Sequence, residues 1–117
     1  MQPPQQSSDN PSSVRSPRTL TPAFRALVLV KHAELEQQIA SGAEGQQRLV
    51  ARDENTGEGL YVCALESGPA ATVEVRIEFA SREPVRRSYL RNQLGEVPST
   101  RLAWIVLEEL GDQLQAP

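Results

Sequence analysis

At 117 residues, with 38% hydrophobic side chains and a formal net charge of −3, the chain supports one small domain and little more. A single cysteine, Cys63, excludes an intrachain disulfide framework, and the longest apolar runs, Ala26–Val30 and Leu102–Leu107, are far too short for a membrane span. The acidic balance argues against binding DNA by bulk charge, and the polar start has no leader-like pattern, so the expected setting is the cytoplasm with no membrane partner.

Residues 1–20 are mainly Gln, Pro, Ser, Asp and Asn, with little beyond Val14 and Leu20 to bury. Such a segment cannot offset its ordering entropy and is expected to be a disordered tail ahead of one domain at 21–117. Without Arg15, Arg18 and Asp9 of the tail, 10 basic and 14 acidic residues remain. Eleven of the twelve basic residues are Arg, which reads as the codon usage of a GC-rich, bacterial genome.

Thr21 is a good helix N-cap and Pro22 suits the first helical position, where its missing N–H costs nothing. Phe24, Leu27, Val28, Lys31, Leu35, Gln38 and Ile39 then recur at helical spacing, and Gly42 follows as a natural stop, which predicts a helix over 22–41. Leu29 and Ala33 widen its apolar face, so it should be covered on more than one side. Three strands are expected next, at Gln47–Arg52, Leu60–Glu66 and Ala71–Phe79, separated by polar Gly-containing turns. In the third, Val73, Val75, Ile77 and Phe79 alternate with Thr72, Glu74, Arg76 and Glu78, giving one buried and one wet face. Turns this short imply an antiparallel meander.

Val85, Tyr89, Leu90 and Leu94 suggest a helix starting near Pro84 and ending at Gly95. Ser99 then reads as the N-cap of a last helix carrying Leu102, Trp104, Ile105, Val106, Leu107, Leu110 and Leu114. The expected fold is α+β: a two-layer arrangement in which a three-stranded antiparallel meander is packed by one N-terminal helix and two C-terminal helices, α-β-β-β-α-α.

The catalytic inventory is bare. His32 is the sole histidine and has no Ser or Cys within a turn, whereas metal sites draw on several His or Cys. Cys63 lies in an apolar strand and reads as a small hydrophobe. The run Asp53 to Glu58 lacks the ligand spacing of a calcium loop, and no glycine cluster leads into a Lys-Ser or Lys-Thr phosphate cradle. No catalytic residue, metal ligand or cofactor is expected, and the chain is not expected to be an enzyme.

Two surfaces stand out instead. Arg82, Arg86, Arg87 and Arg91 fall within ten residues, with Arg87 and Arg91 one turn apart on the expected helix. Helix, three antiparallel strands and helix is also the element order of double-stranded RNA-binding domains, and on that topological resemblance the cluster would contact an anion or nucleic acid. Its alternative is a solvated face paired with Glu74, Glu78 and Glu83. The other surface is apolar: Leu29 with Trp104, Ile105 and Leu107 offers more hydrophobic perimeter than a small sheet covers, which predicts a protein partner, either a two-fold homodimer or a different protein. The leading expectation is a small non-catalytic protein-binding module (adaptor, regulator, inhibitor or secretion chaperone-like); nucleic-acid binding is the alternative.

Overall fold

A computed structural model describes residues 19–115. The tail expected at 1–20 therefore lies outside the described residues up to position 18. Leu20, within the segment expected to be tail, is buried beside Gly111.

The elements in chain order are α1 (Pro22–Val30), α2 (His32–Ser41), β1 (Gln47–Arg52), β2 (Gly59–Ala64), β3 (Thr72–Glu78), β4 (Val85–Leu90), α3 (Arg91–Leu94) and α4 (Ser99–Gln115). The helix expected at 22–41 is present with one interruption. At Lys31 the backbone N–H is shared between the Leu27 and Val28 carbonyls, and the ladder resumes when Leu35 N–H donates to Lys31 O. Thr21 caps α1 by accepting from Phe24 N–H at 3.2 Å. Gly42 ends α2 in an extended rather than left-handed conformation. Glycine is needed there because a Cβ would lie 2.7 Å from the Gln38 carbonyl oxygen.

The sheet has four strands, not three, in the order β1-β2-β3-β4, all antiparallel. The segment expected to form a helix from Pro84 is strand β4 followed by the single turn α3. The cause lies in the pattern itself: Val85, Arg87 and Tyr89 alternate onto one face, but the arginine in the middle disguises the period. Pro84 sits just before the strand, where its lack of an N–H interrupts no ladder.

Register explains the core. Leu60 opposes Ile77, Val62 opposes Val75 and Ala64 opposes Val73, and all six are buried. Helices α1, α2 and α4 cover this face; Phe24, Val28, Leu35, Leu107 and Leu110 are its fully buried ceiling. A bulge in β1 passes the pairing from Leu49↔Tyr61 to Ala51↔Leu60, which turns both Val50 and Ala51 inward. The opposite face carries Leu49, Tyr61, Cys63, Glu74, Arg76 and Arg86, and no described helix packs on it.

Candidate functional site

The four arginines do not form one surface. Arg91 turns inward and caps α2: its Nε donates to Ile39 O at 2.8 Å, Nη2 to Gly42 O at 3.0 Å and Nη1 to Gly68 O at 3.0 Å. Three charge-assisted bonds to carbonyls thus join the end of α2, the β2–β3 turn and α3, with the cation at a helix C-terminus, where the dipole favours it. Arg87 points to the helical side of the sheet and pairs with Glu109 of α4 at 3.1 Å. Tyr89, two residues on and on the same face, donates to the same carboxylate at 2.6 Å. Burial, the Glu109 hydrogen bond and the Glu109 charge together push the Tyr89 phenol well above its ordinary range, with Arg87 opposing.

Arg82 lies in the β3–β4 connection with its guanidinium 5.5 Å from the Phe79 ring centre, its Nε donating to Glu83 O. Arg86 faces the open side of the sheet, directly across from Arg76. Arg76 itself pairs with Glu78 at 2.9 Å and approaches Glu74 at 4.0 Å, and it also donates to Gln47. Of the acidic neighbours expected to pair with the cluster, Glu74 and Glu78 are therefore occupied by an arginine outside it.

The apolar candidates also separate. Leu107 is fully buried and belongs to the core, so it is out of a partner's reach. Ile105 is half-buried, and Leu29 is half-buried against the core. Trp104 is 46% exposed, with the Arg25 guanidinium 5.6 Å from its ring centre. Arg25 and Leu29 are one turn apart, and one turn further His32 meets Ser99 of α4 with 2.8 Å between Nδ1 and Oγ. Leu29 is thus bracketed by two residues that touch α4, which places it along the α1–α4 seam beside Trp104. Beyond it, Val30 is 76% exposed, in a stripe with exposed Ala26 and Ala33.

On α4 the residues one turn either side of Trp104 are Arg101 and Glu108, both exposed, and neither forms an ion pair among the described residues. The arrangement is a large indole centred between a cation and an anion on one helical stripe. Sequence reasoning singled out Trp104 but missed these charges, although their spacing from it was readable.

His32 and Ser99, 67 residues apart in sequence, were not expected to meet. The pair clasps α2 to the first turn of α4. The cleft one turn on is lined by Glu36 and Leu102 but by neither member of the pair. Glu58 was likewise read as turn surface, yet it is only 4% exposed and accepts from Thr21 N–H at 3.1 Å and Thr21 Oγ1 at 2.6 Å, tying the start of α1 to the β1–β2 hairpin. Among the described residues no group of three His, Cys, Asp or Glu is placed to hold a metal ion, and no helix is long and apolar enough to cross a membrane. Compared with family models, curated proteins and solved structures, the chain matches none.

Proposed function

We propose that the chain is a small non-catalytic protein-binding module that acts through the outer face of α4, and that the partner at this face is a second copy of the chain. The observation that supports this reading is the placement of Trp104 between Arg101 and Glu108. A two-fold axis between Trp104 and Ile105 sets two α4 helices antiparallel, so that Arg101 of one copy meets Glu108 of the other at both ends while the indoles pack at the centre. Such a face is self-complementary, as an isologous interface must be. An exposed tryptophan is also the side chain best suited to anchor it. Seventeen residues of helix supply a ridge roughly 25 Å long, and Leu29 and Val30 extend the apolar strip across the seam.

Nucleic-acid binding through Arg82, Arg86, Arg87 and Arg91 has less support. Phosphate contacts need cations aligned along one groove. Here Arg91 is held by three carbonyls, Arg87 by Glu109, and Arg86 lies on the other face of the sheet from Arg87.

Light scattering across a concentration series tests the reading. The full chain is expected to show a dimer, and Trp104→Glu a monomer of unchanged circular dichroism. A chain that stays monomeric at every concentration overturns the second copy as the occupant of this face.

A further inference from the structure

Beyond the α4 face, we propose that the chain has another interaction surface, a strand-addition groove along β1 that takes a short extended segment of a partner protein carrying acidic side chains beside apolar ones. Strand β1 pairs only with β2, so its other edge offers backbone N–H and C=O groups, and among the described residues none of them is hydrogen-bonded there. The opposite edge of the sheet differs. At β4 the Arg86 carbonyl accepts from Gln113 of α4 at 2.8 Å, and α4 lies alongside.

The β1 edge is also one wall of a groove of about 490 Å³. Its other wall is helical: Leu27, Lys31 and Glu34 stand at successive turns and face the strand segment Leu49–Arg52. An unpaired strand edge facing a helical wall across a groove lets a peptide add to a sheet by main-chain bonds while alternate side chains enter the cleft. Leu27 supplies apolar floor, and Leu49, nearly half exposed, borders the groove at the strand edge with its side chain on the open face of the sheet. The bulge at Val50 interrupts the regular ladder of β1, a device that guards an edge against indiscriminate sheet extension.

Charge selects the occupant. Lys31, the chain's single lysine, is exposed at the helix interruption and has no ion-pair partner among the described residues. Arg52 meets only the highly exposed Glu54 at 3.5 Å, and the Arg48 guanidinium bonds to the neutral side chains of Gln38 and Gln46. Glu34 also lines the groove and accepts from Gln38 Nε2 at 2.9 Å. Lys31, Arg48 and Arg52 thus stand against Glu34 and Glu54, and the rim carries a small positive excess on a domain that is acidic in total. It favours a segment bearing Asp or Glu over a second β1, which would bring two further arginines to the same groove.

The test uses the full chain, labelled with nitrogen-15, titrated with an acetylated and amidated six-residue peptide alternating glutamate and valine. Saturable amide shifts confined to Lys31, Glu34 and residues 47–52 are expected, with affinity in the range of about 0.1–1 mM for so small a ligand. Lys31→Glu should weaken binding about two- to five-fold, and the lysine–valine counterpart and a peptide N-methylated at alternate residues should both lose it. Trp104→Glu should leave the titration unchanged, which separates this groove from the α4 face. Absence of saturable shifts overturns the proposal, as does equal binding of the lysine peptide. Shifts at residues 47–52 that appear with protein concentration alone would make the occupant a second copy, and that too overturns it.

Discussion

Between Arg82 and Arg91 the chain carries four arginines in ten residues; between Arg101 and Glu108 it carries two opposite charges and a tryptophan. In sequence the arginine-rich region resembles a binding surface, yet two of its charges are already engaged within the molecule: Arg91 by three carbonyls, and Arg87, at the surface, by Glu109. The Arg101–Glu108 stretch has the pattern of an ordinary amphipathic helix, and its charges point outward without partners among the described residues. Density of charge along a chain therefore says little about availability. What decides is whether the side chain finds an acceptor within reach once the fold closes.

The largest effect that would separate the two regions is expected at Arg91. Arg91→Ala removes three charge-assisted bonds at once and leaves the end of α2 uncapped, which should lower unfolding free energy by about 3 kcal/mol in urea titration. Arg91→Lys should recover only part, since an ammonium cannot reproduce the planar fork. A variant as stable as the parent would make Arg91 an ordinary surface cation again.

Glu58→Ala should cost about 2 kcal/mol, because it orphans the Thr21 N–H and hydroxyl at the start of α1. Glu58→Gln should cost less, as the amide oxygen still accepts.

Tyr89→Phe should cost about 1 kcal/mol by removing the bond to Glu109. The phenol also makes a pH prediction. Its folded pKa is raised, so the unfolded chain releases this proton first as pH rises through about 10, and stability is lost from there upward. Denaturant titrations from pH 8 to 11 should show that decline, and Tyr89→Phe should flatten it.

The smallest effect is expected on the open sheet face, where Arg86 opposes Arg76. Arg86→Glu should raise stability by a few tenths of a kcal/mol to about 0.5 kcal/mol, since like charges directly across a ladder repel. The same variant bears on nucleic acid: mobility-shift assays at low salt should show no complex with the parent chain, and a salt-dependent complex lost in Arg86→Glu would reverse the comparison.

How much of this was legible in the sequence follows from the range of the interactions. The capped first helix, the strand expected at 71–79 and the last helix rest on local periodicity, and they lie close to where the pattern put them. The strand runs 72–78, and the last helix includes Ser99, with Pro98 rather than Ser99 before its first turn. Strand β4 was misread because Val85, Tyr89 and Leu90 fit a helical stripe as well as a strand, and the inward Arg87 broke the alternation that would have decided it. The partners of Arg91 lie 52, 49 and 23 residues away, and His32 finds Ser99 at a separation of 67; no window of sequence contains either. Leu107 illustrates the opposite error. An apolar residue in an all-round apolar run can face core or partner, and only packing distinguishes Leu107, fully buried, from Trp104, half outside.

The central claim is that Trp104, Arg101 and Glu108 form a self-complementary face, and a charge swap read by sedimentation equilibrium tests it most directly. The parent chain should dimerise, Arg101→Glu and Glu108→Arg should each weaken the dimer, and the double variant should restore it, because exchanging the two charges preserves their pairing across a two-fold axis. A double variant weaker than either single variant, or a parent chain that remains monomeric throughout, would contradict the account.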